Sequence, residues 1–148
     1  MFIKPARWAL TLTNPPVQLR GLALLSLGLL LVNLFYHGQQ PYAVNLIPPP
    51  FDKLAHLSLF ATIGILLWLA TGARRVALVL LLSILLGALD ELIQSASPGR
   101  SADWFDLLAD TLGALLGVYV CRWLGRWLAG SVGVRVMQDQ PNGAHDDS

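Results

Sequence analysis

Acidic side chains are concentrated in two apolar stretches on either side of a Ser97-Pro98-Gly99 turn. These stretches carry the polar residues Asp90, Glu91, Gln94, Asp103, Asp106 and Asp110. Residues three and four apart lie on one face of a helix, so the carboxyl groups on each side of the turn can act together. Such groups can transfer protons or bind a divalent cation through their oxygens. Asp106 and Asp110 are the candidate cation ligands, and Glu91 is a candidate general acid or base.

A third polar group, Asp52-Lys53-x-x-His56, directly follows Phe51 and a run of three prolines. Asp52 and His56 are four residues apart and therefore share a helical face. His56 is the second candidate for general acid or base catalysis. Lys53, together with Arg100 in the turn between the acidic stretches, could hold a phosphate group.

The composition indicates a membrane protein. Mean hydropathy is +0.58, and 55% of the 148 residues are hydrophobic while 13% are charged. A soluble domain carries about 25% charged residues. The net charge of +1, without a basic patch, gives no support for binding of nucleic acid. The single cysteine, Cys121, excludes an internal disulfide and a zinc site built from cysteines.

Long apolar runs predict an all-α bundle of four transmembrane helices, at about 17–36, 52–71, 76–94 and 102–123. The prolines at 48–50 separate the first run from the second, because proline blocks helix formation. We divide the chain into a basic lead (1–16), the first transmembrane helix (17–36), a core of three transmembrane helices (52–123) and a disordered polar tail (130–148).

The distribution of lysine and arginine predicts the orientation in the membrane. Eight of the ten cations precede the first helix, separate the second from the third, or follow the fourth: Lys4, Arg7, Arg20, Arg74, Arg75, Arg122, Arg126 and Arg135. Four crossings place all three groups on one side, which the positive-inside rule makes cytoplasmic. Both termini are therefore expected in the cytoplasm, and the acidic residues at the extracytoplasmic end.

The acidic residues are expected to lie inside the membrane. Asp90 follows Arg75 by fifteen residues, or about 22 Å of helix, and the hydrocarbon core is about 30 Å thick. An ionised group there costs about 2.5–3.5 kcal/mol on insertion scales. Such groups must face the bundle interior and have partners, either in a functional site or in a structural network of salt bridges.

The polar residues, in their order and spacing, resemble those of the VanZ-like family of small bacterial membrane proteins. The resemblance covers about Asp52 to Val118 and rests on Asp52-Lys53-x-x-His56, Asp90-Glu91-x-x-Gln94, Pro98-Gly99-Arg100-Ser101 and Asp106-x-x-x-Asp110-Thr111-x-Gly113-Ala114-x-x-Gly117. The family is named for a protein associated with resistance to the glycopeptide antibiotic teicoplanin. The resemblance implies a multi-pass protein of the bacterial cytoplasmic (inner) membrane with a link to the cell envelope.

The polar motif positions of the family fall on Asp52, Lys53, His56, Glu91, Gln94, Arg100 and Asp106. The chain departs from the family at Asp110, where the family usually has asparagine, and at Ile93, where it often has a polar residue. The carboxyl group of Asp110 adds a charge or binds a proton, so a neutral role at this position is in doubt.

Two classes of function remain open at this point. In the first, the site binds or acts on a phospholipid head group or a lipid-linked envelope precursor, with a possible link to glycopeptide resistance. Its catalytic candidates are Glu91 and His56, and its candidate substrate-binding residues are Asp52, Lys53, Asp90, Gln94, Arg100, Asp106 and Asp110. In the second, the protein is a non-catalytic accessory protein whose polar cluster is a salt-bridge network or a docking site. Neither the substrate nor the identity of any divalent cation follows from the sequence.

Overall fold

The computed structural model describes residues 12–38, 40, 42, 46–48, 50–97 and 101–138, the last eight by their backbone alone. Its principal elements are four α-helices: α1 (Val17–His37), α2 (Phe51–Ala70), α3 (Val76–Ser95) and α4 (Trp104–Gln138). In this part of the chain, all four are long and apolar enough to cross a membrane, α4 through its segment Trp104–Gly130. The expected all-α architecture with four spans is confirmed, while its direction across the membrane stays a prediction.

The helices begin and end where the local sequence favours it. Pro16 precedes α1 in an extended conformation, and Gly38 closes that helix by donating its N–H to the Leu34 carbonyl at 3.0 Å. Asp103 caps α4, since its Oδ1 accepts a hydrogen bond of 2.9 Å from the Phe105 N–H. Between α2 and α3, Gly72 takes a φ of 81°, which side chains other than glycine rarely allow.

Helix α4 is longer than the sequence analysis predicted. It was expected to end near residue 123, with a disordered tail from 130, but it continues to Gln138. No proline interrupts the chain before Pro141, so nothing forces an earlier end. Its 35 residues correspond to about 52 Å, more than the thickness of a bilayer core, so its last turns extend beyond the membrane. The rest of the predicted tail and residues 1–11 of the basic lead lie outside the described residues.

Helices α2 and α4 form the closest pair in the bundle, because three glycines allow their backbones to meet. A Cβ atom on Gly113 would collide with the Leu57 carbonyl oxygen, and one on Gly117 with that of Ala61. From the opposite side, a Cβ on Gly64 would lie 2.6 Å from the Ala114 carbonyl oxygen. In a membrane, burying an apolar side chain between helices gains little, because lipid tails are equally apolar. Close contacts between small residues therefore drive helix association there.

The apolar core continues from this pair towards α3 and α1. Phe60 and Ile63 of α2 and Val79 of α3 are fully buried. Helix α1 buries Leu27 and Ala23 and packs three half-buried leucines (30, 31 and 34) against the core, while it exposes those at 22, 24, 25 and 29. These exposed side chains are the surface that a surrounding bilayer would cover.

Charges of opposite sign are separated to the two ends of the bundle. At one end, Arg74 donates to the Asn14 side chain at 3.4 Å, and the Arg122 guanidinium lies 5.8 Å from the ring centroid of Trp68. At the other end are the residues that we call the acid-rich end: Asp52, Lys53, His56, Asp90, Glu91, Gln94, Asp103, Asp106 and Asp110. The close α2–α4 contact fixes the position of the acid-rich end, because Leu57 lies one turn beyond Lys53.

Replacing Gly113 by alanine should destabilise the bundle. The new methyl group would press on the Leu57 backbone, which cannot move without separating α2 from α4, and overpacking of this kind costs about 1–3 kcal/mol. Thermal unfolding of the purified protein in mild detergent measures the effect. The matched control is Gly28→Ala, since a Cβ there meets nothing within 4 Å. Equal stability of the two variants would contradict the close packing described here.

Candidate functional site

Lys53 holds together the carboxylates at the start of α2 and α4. Its Nζ lies 2.5 Å from Asp103 Oδ2, 2.6 Å from Asp106 Oδ1 and 3.3 Å from Asp52 Oδ2. A lysine ammonium has three hydrogens to donate. Two of them are donated to Asp103 and Asp106, and the ion pair with Asp52 places a third carboxylate beside the ammonium, so Lys53 is already surrounded by anions in this arrangement.

His56 lies one turn deeper and joins the two acidic residues of α4. Its Nδ1 is 3.0 Å from Asp110 Oδ1, and its Nε2 is 3.9 Å from Asp106 Oδ2. A carboxylate bonded to one ring nitrogen fixes the orientation of the imidazole and the role of the other nitrogen. The carboxyl group of Asp110 is thus used to hold His56.

Helix α3 joins this network through Glu91. The Asp103 N–H donates to Glu91 Oε2 at 2.6 Å, which ties the end of α3 to the start of α4. On the adjacent turn, Gln94 donates to Asp90 Oδ2 at 2.8 Å. Asp90 and Gln94 therefore pair with each other along α3, while Glu91 makes the link between helices.

The acidic residues within α3 and α4 are buried in the protein and do not face lipid. Asp90 and Asp110 are inaccessible, and Glu91, Gln94 and Asp106 are each 7% exposed. Two of their oxygens, Glu91 Oε1 and Asp110 Oδ2, are buried without a hydrogen-bond partner. A buried polar atom left unpaired costs about 1–3 kcal/mol, so both are candidates for contact with a ligand.

Asp103 differs from the other acids because it lies just outside the transmembrane segment. Its side chain is 37% exposed. The hydrogen bond from Lys53, and then that from the Phe105 N–H, hold the pKa of its carboxyl group below the usual range. Asp103 therefore remains ionised at neutral pH and keeps Lys53 in place.

A pocket of about 230 Å³ lies beside this network, between α3 and α4. Six of its lining residues are Ala88, Glu91, Leu92, Asp103, Trp104 and Leu107. We call this space the α3–α4 pocket. Trp104 and Leu92 are 84% and 67% exposed, so the pocket opens on the apolar outer surface of the bundle. Glu91 and Asp103 are the two ionisable residues among those that line it.

The structure does not bring together a set of metal ligands in the part of the chain that it describes. No group of three or more histidine, cysteine or acidic side chains there has the arrangement of a metal site. Asp106 and Asp110, the predicted pair, direct their Oδ1 atoms to Lys53 and His56 instead.

Most of the predicted site residues meet at the acid-rich end. Asp52, Lys53, His56, Asp106 and Asp110 form one connected set, and Asp103 links it to Glu91. Arg100 lies outside the described residues. Asp103 was absent from the predicted site residues, although its position three residues before Asp106 placed it on the same face. Ser83 was likewise not predicted as a site residue; it is 1% exposed, and its Oγ has no partner.

Replacing Lys53 by methionine should destabilise the protein at neutral pH, because it leaves three carboxylates facing one another. Charge-assisted hydrogen bonds contribute about 1.5–3 kcal/mol each, so we expect a loss of about 1–3 kcal/mol after relaxation. The lowered pKa of Asp103 fixes the pH dependence. Its stabilisation is complete above the unfolded-state pKa of about 3.9 and is lost as pH falls through the lower folded-state value. The deficit should therefore shrink below roughly pH 4.

Unfolding in detergent between pH 3 and 8 measures this deficit, with Arg74→Met as the matched control. Arg74 is an exposed cation at the opposite end of the bundle with one long hydrogen bond, so its loss should change little. A pH-independent deficit for Lys53→Met would contradict the ionic role of the network.

Comparison with known proteins relates this site to a family. No curated protein and no solved structure matches the chain. The profile of the VanZ/LLP1 family matches residues 20–125. The match contains the acid-rich end and also includes most of α1, which the resemblance inferred from the motifs had left out. Because it covers more than half of the 148 residues, the chain belongs to the VanZ/LLP1 family.

Proposed function

We propose that this protein binds a cell-envelope lipid, or a lipid-linked envelope precursor, at its acid-rich end. The observation that carries the proposal is the α3–α4 pocket, whose lining is mostly apolar but includes the acidic residues Glu91 and Asp103. A lipid has the same division between an apolar chain and a polar head. The head group would lie beside Glu91 and Asp103, and the chain would leave between Leu92 and Trp104.

The size and position of the pocket support this assignment. Pockets for whole small molecules measure about 300–1,000 Å³, whereas this one has about 230 Å³. It therefore suits one part of a larger molecule whose remainder stays in the bilayer. Since Leu92 and Trp104 are exposed on the apolar surface, such a molecule could enter sideways without crossing water.

Binding is favoured over catalysis by the contacts of the catalytic candidates. His56 lies between the carboxylates of Asp110 and Asp106. Glu91 uses one oxygen to hold the Asp103 N–H. Both residues thus contribute to the packing of the network, and an enzymatic role for either would need a substrate group placed against it. An effect on glycopeptide antibiotics would follow from altered precursor display, and this part of the proposal rests on the family alone.

The second candidate function is the structural one. The contacts of Lys53 with three carboxylates favour it, because they would join α2 to α4 whether or not a ligand binds. A purely structural network predicts that changes in the α3–α4 pocket leave lipid retention unaltered.

Obstructing the pocket should remove a co-purifying lipid. Ala88 lines the α3–α4 pocket and is exposed, so Ala88→Phe can fill the opening without entering the core. Native mass spectrometry in mild detergent should find at least a severalfold lower lipid occupancy than in the wild type. Leu85→Phe, one turn away on α3 and 57% exposed, is the matched control and should retain the lipid. Equal occupancy in the two variants would move the assignment to the structural network.

We further propose that the acid-rich end faces away from the cytoplasm, in the bacterial cytoplasmic membrane. The support is the position of Arg74, Arg75, Arg122 and Arg126 towards the opposite end, which the positive-inside rule makes cytoplasmic.

Reporter fusions test this orientation. Alkaline phosphatase, which is active only outside the cytoplasm, should be inactive when fused after Arg75 or Trp127 and active when fused after Ser97. A fluorescent protein that folds only in the cytoplasm should give the reverse pattern. Active phosphatase after Arg75 would overturn the proposed orientation.

A further inference from the structure

We infer that the α3–α4 pocket takes a lipid whose head group carries a primary amine, with the ammonium donating a hydrogen bond to Glu91 Oε1. The inference rests on the lipid-binding function proposed above and specifies its ligand. It departs from the expectation that Lys53 and Arg100 hold a phosphate group.

Glu91 is the residue from which the inference starts. It lines the pocket and is 7% exposed. Its Oε2 accepts the Asp103 N–H at 2.6 Å, which fixes the carboxyl group in position. Its Oε1 is buried and has no hydrogen-bond partner. A donor from a bound molecule would satisfy this oxygen, and a charged donor would do so most strongly.

The protein itself does not supply that donor from the residues that the structure describes. Lys53 donates hydrogen bonds to Asp103 and Asp106 and forms an ion pair with Asp52 at 3.3 Å, so its ammonium is held by these three carboxylates. His56 faces Asp110 and Asp106. Within the described ranges, no ion pair includes Glu91, so its carboxyl group has no cationic partner from the chain itself.

The sign of the charge in the pocket selects the head group. The two ionisable residues that line it are Glu91 and Asp103, and both are acidic. Asp103 remains ionised at neutral pH, since Lys53 keeps the pKa of its carboxyl group low. A phosphate group placed against these carboxylates would be repelled, whereas an ammonium group is attracted and contributes three donors.

The same geometry predicts discrimination among amines. A trimethylated ammonium carries the charge but has no hydrogen to donate, and an acetylated amine has lost the charge. Of these three, only the primary amine combines a charge with a hydrogen bond to Glu91 Oε1. The apolar walls formed by Leu92, Trp104 and Leu107 are common to all lipids and should not discriminate.

The test compares four lipids with identical acyl chains on the full-length wild-type protein. The lipids are phosphatidylethanolamine, its N-acetylated form, phosphatidylcholine and phosphatidylglycerol, each added to delipidated protein in mild detergent and quantified by native mass spectrometry. We expect phosphatidylethanolamine to bind about tenfold more tightly than the other three, the factor expected from one charge-assisted hydrogen bond. This comparison needs no substitution, so it does not depend on the folding of a variant.

Glu91→Gln then tests the assigned residue. It should reduce the preference for phosphatidylethanolamine over its N-acetylated form to less than about twofold, while binding of the N-acetylated form, which has no charge on its nitrogen, stays at the wild-type level and serves as the control for folding. A preference that survives in Glu91→Gln would overturn the assignment to Glu91.

The outcomes separate this inference from the function on which it rests. If the wild type retains none of the four lipids, the proposed lipid binding fails, and the inference fails with it. If it retains all four equally, lipid binding stands and the amine specificity is overturned. Selectivity that appears only in Arg100→Ala would also overturn it, because the chain's own arginine would then occupy the place assigned to the ligand.

Discussion

The cost of placing carboxyl groups inside an apolar bundle governs the structure of this protein. An ionised group loses several kilocalories per mole on leaving water unless charges and hydrogen bonds replace its hydration. Helices α2, α3 and α4 together supply these charges and hydrogen bonds. Lys53 brings one charge to three carboxylates, His56 holds Asp110, and the Asp103 N–H serves Glu91. Each of these contacts joins residues from different parts of the chain, so the network depends on the assembled bundle.

The glycine contacts between α2 and α4 make this network possible. Gly113 and Gly117 let α4 rest on the backbone of α2 at Leu57 and Ala61. At that separation Lys53 and His56 of α2 reach the acidic face of α4 with direct contacts. Gly87 has the same role on α3, because a Cβ there would lie 2.8 Å from Asp110 Oδ2. The contacts between the charged residues of the site therefore depend on the small residues that lie below it.

The sequence was informative about the fold because membrane helices depend on composition and length alone. Four apolar runs and the proline run before Phe51 were enough to predict the four spans. The periodicity of the acids also predicted that they would share faces and meet at one end. The end of α4 was wrong, because the residues after Gly130 are compatible with both helix and coil, and composition favoured the latter.

The pairing within the site was beyond what the sequence could supply. Spacing placed Lys53 near several acids but could not show that its ammonium would contact three of them at once. Hydrogen bonds between helices depend on the rotation of each helix about its axis. A spacing of three and four residues shows which side chains share a face but does not determine this rotation. Asp103 is the clearest example, since its backbone N–H makes the link to Glu91. A sequence motif specifies side chains and therefore does not reveal a contact made by a backbone N–H.

The two unpaired carboxyl oxygens show why a ligand is assigned to one place and not the other. Asp110 Oδ2 lies against Gly87 within the helix contact and is not accessible from the α3–α4 pocket, so its missing partner is a property of the packed interior. Glu91 Oε1 belongs to a residue that lines a pocket open to the membrane. A structural network would gain nothing by leaving this second oxygen unpaired beside an open space. A binding site would gain from it, because the free energy lost by leaving the oxygen unpaired is recovered when a ligand donates a hydrogen bond to it.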